Sequence, residues 1–510
     1  MTAVGKILAI KQAGDRLSGL ILLGLVLLSA CQETNGIASP KTAKSPNVLF
    51  LAVDDLNSLL GSLKPEYGVK TPNLDELAAK GVLFSNAHCQ APLCGPSRAS
   101  IMTGLRPSTT GIYGMIADDS IRDENSATKN LVLLPEYFGE NGYHTMGIGK
   151  LFHQHAPQGV LDESGGRVKG FGPLPPERFV WDGYGTADRD VYGRTGTDWG
   201  AFPEADSLMP DHQSANWAIE RLRREYDQPF FLAVGFLRVH VPWYVPRKWF
   251  ELYPLDSIKT LPYMADDLND LPPVALQIND LPMMPSTDWA IATGEWPKAV
   301  QAYLACISFV DYEIGRILDV LDKSDHAENT VIVLWSDHGY RLGEKSTFAK
   351  HALWEVATKA PLMFAGPGLP QGKIIDTPAE MLSIYPTLLD LCKLPAYERI
   401  EGKSLVPLMQ GKEDASSPVA ITTFGMNNHA VRTDRFRYIS YEDGGEELYD
   451  HEKDPDEFTN LADDPEYREH IEKLKTLLPK DNQGWSTHSS YNFQPYFVEQ
   501  KARTGGRDDQ

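Results

Sequence analysis

Cysteine is scarce. Five occur in 510 residues, at positions 31, 89, 94, 306 and 392, and their spacing forms neither a disulfide framework nor a zinc-binding pattern. Basic charge is short as well: 48 Lys and Arg stand against 69 Asp and Glu, a formal charge of −21. That excludes a nucleic-acid partner, because neutralising phosphates needs a cationic surface. It leaves room for a small anionic substrate, provided that a local cluster of cations and metal outweighs the global field at short range. No internal repeat is present. Long apolar runs are missing too; the stretch Leu20 to Leu28 is too short to span a bilayer comfortably. What remains is an ordinary globular composition, 42% hydrophobic and 23% charged, on a chain long enough for a large core and more than one structural unit.

Lys6, Lys11 and Arg16 precede the Leu20–Leu28 stretch and Ser29-Ala30-Cys31 follows it, the layout of an export signal. Leu28-Ser29-Ala30-Cys31 resembles a bacterial lipobox, which implies a lipoprotein signal peptide over 1–31 and a lipid on Cys31. Ordinary secretion with cleavage nearby is the alternative. Each buried acyl methylene contributes about 0.8 kcal/mol, so several chains would hold the protein on a membrane. The expected location is that of an exported bacterial lipoprotein, anchored in the periplasm or at the cell surface. Residues 32–46 are polar, carry two prolines and read as a flexible tether.

Five short apolar runs read as buried parallel strands: Val48–Val53, His144–Ile148, Phe230–Val234, Val331–Trp335 and Pro361–Ala365. Helical patterns lie between them. Thr71–Lys80 opens on Thr-Pro and stops at Gly81. Val300–Leu321 sets Ile307, Val310, Ile314, Ile317, Leu318 and Leu321 at helical spacing. Cys306, in that run, and Cys392 read as core fillers. The alternation predicts an α/β fold, a large central, mostly parallel sheet sandwiched by helices. Four runs lead into polar residues: Asp54-Asp55, Gly149-Lys150, His240 and Asp337-His338. Ligands of open α/β sheets bind at the carboxyl ends of strands, so four segments deliver charged or titratable groups to one rim. Residues 402–417 look like a loop, followed by shorter strand signals such as Phe436–Ser440 and an acidic stretch at 447–461. The expected organisation is a catalytic domain over 47–417 and a smaller α+β subdomain over 418–510. Residues 485–510 lack periodicity and read as a surface wrap or a disordered tail.

Residues 91–98, Ala-Pro-Leu-Cys-Gly-Pro-Ser-Arg, place Cys94 just ahead of a helix that Pro96 can begin and Gly104 can end. Free amides and the helix dipole there favour anions. Cys94-Gly95-Pro96-Ser97-Arg98 with Thr103-Gly104-Leu105-Arg106-Pro107 resembles the signature of type I, formylglycine-dependent sulfatases, members of the alkaline-phosphatase-like superfamily. The likeness runs over residues 47–461. It is similar to the iduronate-2-sulfatase-like branch in Gly149–His153, in Phe230–Phe236 leading to His240, and in Ser336–Lys350.

The resemblance implies a sulfuric ester hydrolase. A formylglycine-generating or sulfatase-maturing enzyme would oxidise Cys94 to formylglycine (3-oxoalanine). One hydroxyl of its hydrate would attack sulfur, and proton loss from the second would expel sulfate, a step closed to a plain serine. Asp54, Asp55 and Asp337 would form an oxygen-rich site such as Ca²⁺ prefers, with position 94 and His338 as further ligands. A nitrogen ligand is less usual for calcium, which leaves the metal open. Arg98 would reach the aldehyde hydrate or the metal carboxylates. Lys150 and Lys350 would bind sulfate oxygens, His153 would assist proton transfer at formylglycine, and His240 would protonate the leaving sugar oxygen. Asn427, Asn428 and His429 are candidates for lining the sugar pocket. The expected substrate is a sulfated oligosaccharide or polysaccharide, with a uronate 2-O-sulfate suggested by the branch. One departure stands out: Gly235-Phe236-Leu237-Arg238-Val239 precedes His240 where His-Lys-Pro is expected, a difference bearing on substrate contacts and not on the reaction. Two other readings fit less of the sequence. One is a phosphodiester or phosphonate monoester hydrolase of the same superfamily; the other is an inactive glycan-binding lipoprotein in which Cys94 stays a thiol.

Overall fold

The computed structural model describes residues 45–168, 170–181, 183, 196–412 and 418–505. The leader, Cys31 and all but the end of the tether lie outside them. In chain order the principal elements are β1 (Asn47–Asp54), α1 (Pro72–Lys80), β2 (Gly81–Phe84), α2 (Cys94–Thr103), β3 (His144–Gly149), β4 (Glu163–Gly166), α3 (Pro210–Leu222), β5 (Phe230–Val239), α4 (Trp296–Asp322), β6 (Thr330–Ser336), β7 (Leu362–Ala365) and β8 (Lys373–Ile375). After these come β9 (Ala420–Thr423), β10 (His429–Arg432), β11 (Phe436–Ser440), β12 (Glu446–Asp450), α5 (Arg468–Lys475) and α6 (Pro495–Thr504).

The central sheet runs β8-β2-β7-β6-β1-β5-β3-β4. β1, buried along its whole length, pairs in parallel with β6 on one side and β5 on the other. The register aligns the carboxyl ends: Val53 lies opposite Ser336, Asp54 opposite Val239, and Gly149 opposite Gly235. Two apolar clusters, one per face, bury the sheet. One joins Leu49, Leu51 and Val53 to Cys306, Ile307, Val310, Ile314 and Ile317 of α4; the other joins Val48, Phe50 and Ala52 to Ile101 and Met102 of α2. The alternation along β1 is thus a strand with both faces covered.

The α/β expectation is met, with particulars to correct. The run at Pro361–Ala365 is β7, and it is antiparallel to both β6 and β2, so it alone reverses the sheet. An apolar run of that length carries no direction. β2, β4 and β8 were not expected; β4, Glu-Ser-Gly-Gly, has no strand-forming side chains and is a strand only because β3 offers its edge. Helix α2 starts at Cys94 itself, with Leu93 as its cap, and Gly104 closes it at φ 71°. The C-terminal sheet is antiparallel in the order β9-β10-β11-β12. Residues 485–505 are neither a loose wrap nor disordered. Ser489–Ser490 pair with Met115–Ile116, α6 follows, and Trp485, Tyr491 and Phe497 are buried. Aromatics six residues apart skip the three- and four-residue steps of a helix face and form no continuous apolar alternation, which is why the sequence pattern was silent. Among the described residues no helix is long and apolar enough to cross a membrane.

Candidate active site

The chain turns sharply where β1 ends. Asp55 takes a left-handed φ of 60°, an unfavourable place for a side chain with a Cβ. It is held there because its N–H donates to Asp337 Oδ1 (3.1 Å) and its carbonyl accepts from the Tyr303 hydroxyl (2.7 Å). The same turn sends Asp54 and Asp55 into one fully buried space. Beside it, Gly149 has φ 79°, and a Cβ there would lie 2.0 Å from the Gly235 carbonyl oxygen. Only glycine lets β3 and β5 approach this closely and deliver Lys150 to the centre.

Every residue of α2 is buried. Its first turn presents Cys94, and Arg98 follows one turn later. Arg98 Nε donates to Asp337 Oδ2 (2.9 Å), Nη2 to Asp54 Oδ1 (3.4 Å), and Nη1 to the carbonyls of Lys150 and Leu151. One guanidinium thus ties together segments from β1, β3 and β6. Lys150 Nζ bonds Asp54 Oδ2. Lys350 Nζ bonds Asp55 Oδ1 (2.6 Å) and touches Cys94 Sγ (3.0 Å). His338 donates from Nδ1 to the Gly339 carbonyl (2.9 Å), which can only accept, so Nε2 presents its lone pair inward. That atom lies 3.3 Å from Cys94 Sγ, 3.4 Å from Asp55 Oδ1 and 3.6 Å from Asp337 Oδ2. His240 stands at the rim, its Nδ1 on the Val241 carbonyl (2.6 Å) and its Nε2 3.9 Å from Asp55 Oδ2. The His153 backbone N–H donates to Asp118 (3.1 Å), while its buried Nδ1 has no partner. The ten residues expected to bind sulfate, move protons or hold the metal therefore belong to one neighbourhood.

The electrostatics follow from burial opposed by pairing. Burial would raise Asp54, but Lys150, His240 and Arg98 outweigh it and hold the carboxyl well below its usual range. Asp55 goes the other way, raised by burial and by the Asp54 and Asp337 carboxylates against the pull of Lys350. Burial opposes charge on Lys350, yet Asp55, Cys94 and Asp54 keep its pKa well above the ordinary value. Burial pushes the Cys94 thiol up to about 12 and lowers His153 to about 3, with Lys150 adding to the effect. A thiol so weakly acidic is a poor nucleophile.

The donor set suits a divalent cation. One ligand atom each from Asp54, Asp55, Cys94 and His338 lie within 4.8 Å of one another. Asp55 Oδ2 is buried and makes no hydrogen bond, a costly state for a carboxylate oxygen unless a cation meets it. A second group of this kind, Glu355, His451 and Glu457, is a structural ion-pair network instead. Glu355 already accepts from Arg432 (3.0 Å) and Arg437, and Glu457 from His451 (3.0 Å).

Several site residues were missed in the sequence. Arg238, in the segment that departs from His-Lys-Pro, is fully buried and donates to the carbonyls of Phe171 (2.7 Å), Tyr244 (3.0 Å) and His240 (3.1 Å). It staples the His240 turn and makes no outward contact; the departure itself was its signal. Phe171 stacks on His240 at 4.1 Å and 6°. Tyr491 is buried with its hydroxyl unpaired, its ring 5.4 Å from that of His351, the residue after Lys350. Nothing in the sequence pattern marks Phe171 or Tyr491. His429 lies inside β10 with Nδ1 on Thr423 Oγ1 (2.9 Å), and Asn428 is buried on the Phe424 carbonyl (2.9 Å). Their side chains serve the C-terminal sheet instead of lining an open sugar pocket. Arg106 clamps Glu380 through both terminal nitrogens at 2.7 Å, so the second half of the signature is structural.

The comparisons with known proteins agree with this geometry. Residues 46–394 match the sulfatase family model, and residues 343–484 match that of the N-sulphoglucosamine sulphohydrolase C-terminal region. A protein of Formosa agariphila described as a sulfatase is 64% identical over 95% of this chain and 96% of its own length. Human iduronate 2-sulfatase is 35% identical over 69% of this chain and 65% of its own. A solved 2-O GAG sulfatase superposes with a TM-score of 0.64 at 22% identity, over 92% of this chain and 95% of that one. The chain belongs to the sulfatase family.

Proposed function

We propose that this sulfatase removes sulfate from sulfated carbohydrate, with a 2-O-sulfated uronate as the favoured class, through formylglycine at position 94. The carrying observation is Cys94 itself. It opens a fully buried helix, 3.0 Å from Lys350 Nζ and 3.3 Å from His338 Nε2, where its thiol is too basic to act as a nucleophile. A buried thiol would waste so costly a set of charges, whereas an aldehyde hydrate there would use all of them. Formylglycine, once formed, supplies a diol whose second hydroxyl allows sulfate to be released. The uronate reading is supported by the 35% identity to human iduronate 2-sulfatase.

Asp54, Asp55, Asp337, His338 and the oxygen at position 94 would hold the metal, for which the oxygen-rich set favours Ca²⁺. When bound, it supplies charge neutralisation for the sulfuryl oxygens. Lys150 and Lys350 orient the sulfate by point charge. Arg98 fixes Asp54 and Asp337 relative to the helix that carries position 94. His240 and His153, which follow the carboxyl ends of the neighbouring strands β5 and β3, are the proton carriers for the leaving sugar oxygen and the position-94 hydrate. The maturing enzyme and a membrane anchor through Cys31 complete the proposal, placing the enzyme outside the cytoplasm.

The test is desulfation of a panel of sulfated oligosaccharides by purified enzyme, with Cys94→Ala as control and an aryl sulfate and an aryl phosphodiester alongside. Turnover of sulfate esters that vanishes in Cys94→Ala supports the reading. Phosphodiester turnover exceeding sulfate turnover, or an intact mass showing an unmodified thiol in active enzyme, overturns it.

A further inference from the structure

Each carboxylate at the centre has a cation: Asp54 has Lys150, Asp55 has Lys350, and Asp337 has Arg98. Arg167 is surplus to that balance. It follows β4, and its guanidinium is tied to the site through Nη1, which donates to the carbonyls of His153 (2.7 Å) and Gln154 (3.3 Å). Its Nε is buried and makes no hydrogen bond. Among the described residues it has no carboxylate partner. Burial lowers its pKa, with Asp54 resisting and Arg98 adding to the effect. A half-buried guanidinium with no carboxylate in hydrogen-bonding contact and an orphaned Nε is disfavoured unless an anion arrives.

Its surroundings say where that anion would sit. The guanidinium lies 5.6 Å from the centroid of Phe171. The same ring stacks on His240 at 4.1 Å, and Lys150 Nζ is 5.3 Å from its centroid. Phe171 is thus a shared wall joining Arg167 to a residue proposed for the sulfate and one proposed for the leaving sugar oxygen. With Nη1 occupied by backbone, the free edge is Nε with Nη2. That edge carries two parallel N–H groups, spaced for the two coplanar oxygens of a carboxylate.

We propose that the Nε and Nη2 edge of Arg167 binds the carboxylate of the substrate sugar, and so selects uronate sulfates over neutral sugar sulfates. The inference rests on the sulfatase reading above and assigns a residue to its substrate preference. It also accounts for a surplus cation on a chain of net charge −21: the global field repels a doubly anionic sugar, and a local charge must offset it.

The experiment compares a 2-O-sulfated uronate disaccharide with its carboxyl-reduced counterpart in wild type, Arg167→Ala and Arg167→Lys. Wild type should favour the acid by about 10- to 100-fold in kcat/KM, the range of one charge-assisted hydrogen-bonded contact. Arg167→Ala should lose that preference mainly through KM, and Arg167→Lys should keep part of it, having the charge without the fork. Equal losses on both substrates would mean that Arg167 only holds the His153 segment, and would overturn the proposal. So would a wild type that turns over neutral sugar sulfates and ignores the uronate, which leaves the sulfatase reading standing. Wild type inactive on every sulfate ester would instead overturn that reading itself.

Discussion

Lys350 Nζ stands between Asp55 Oδ1 at 2.6 Å and Cys94 Sγ at 3.0 Å, so one ammonium faces both a proposed metal carboxylate and the reacting position. An oxyanion forming at position 94 or on the sulfuryl group would lie against it without any rearrangement. Removing one such preorganised donor typically costs about 10²- to 10³-fold in rate. Lys350→Ala is expected to lower kcat on an aryl sulfate by that order. Lys350→Arg should restore little, because a planar guanidinium cannot occupy the place of a compact ammonium. Full activity in Lys350→Ala would remove this residue from the reaction.

Metal binding has a readout independent of turnover. Asp55 Oδ2 is buried and makes no hydrogen bond, and burial with two neighbouring carboxylates disfavours its charge. A cation that binds the folded chain stabilises it by about 2.7 kcal/mol at a concentration one hundred times its Kd. Thermal melts of chelator-treated protein should therefore shift upward on adding Ca²⁺, and Asp55→Asn should abolish most of the shift. Identical melts with and without divalent cations would contradict the ligand set.

Arg98 joins three chain segments that are remote in sequence, through Asp54, Asp337 and the Lys150 carbonyl. Breaking a buried ion pair from one side costs about 3–5 kcal/mol, because the partner charges stay buried. Arg98→Lys cannot span three acceptors set around a planar fork. It is expected to lose both denaturant resistance and turnover, measured by urea midpoints and by aryl sulfate hydrolysis. A variant of wild-type stability would show that Asp54 and Asp337 are held by other groups.

The sequence was most legible where physics makes residues do one thing. A buried strand ending in Asp54-Asp55, another ending in Asp337-His338 and a helix at Cys94 closed by Gly104 could be read directly, though the helix starts two residues before Pro96, because apolar periodicity marks the strands and their carboxyl ends mark the rim. What escaped depended on tertiary partners. The reversed direction of β7 is set by β6 and β2 on either side. The strand character of Glu163–Gly166 comes from an edge offered by β3. Phe171 and Arg167 reach the site, and Tyr491 its border, from segments with no regular period, and only contacts with His240, His153 and His351 reveal them.

His429 makes the stability of the fold depend on pH. Burial, with Arg106 adding to the effect, lowers its pKa from 6.5 to about 4. Above 6.5 the imidazole is neutral in both folded and unfolded chains. As pH falls from 6.5 toward 4, the unfolded chain takes up a proton that the folded chain refuses, so stability drops. At pH 5 the loss from this group is about 2 kcal/mol. The difference in unfolding free energy between pH 7 and pH 5 should shrink by about that amount in His429→Gln. No change in that difference would show that the buried imidazole relaxes to accept its proton.

Tyr491 joins a well-packed ring to an orphaned hydroxyl. Its ring packs among Phe424, Phe493 and Phe497, in a segment locked to the body by α6, yet its hydroxyl is buried without a partner. Such a group costs about 1–3 kcal/mol of stability, so something other than stability must explain its place. Its ring lies 5.4 Å from that of His351, the residue after Lys350, which brings a neutral donor to the segment that carries the proposed sulfate-binding ammonium. Tyr491→Phe removes the unsatisfied hydroxyl and keeps the ring. It should raise the urea midpoint by the equivalent of about 1 kcal/mol and lower kcat/KM on a sulfated sugar by about tenfold, the loss of one neutral hydrogen bond to substrate. A gain in stability with unchanged kinetics would assign the hydroxyl to packing alone; a loss of stability would mean that it has a bound water as its partner.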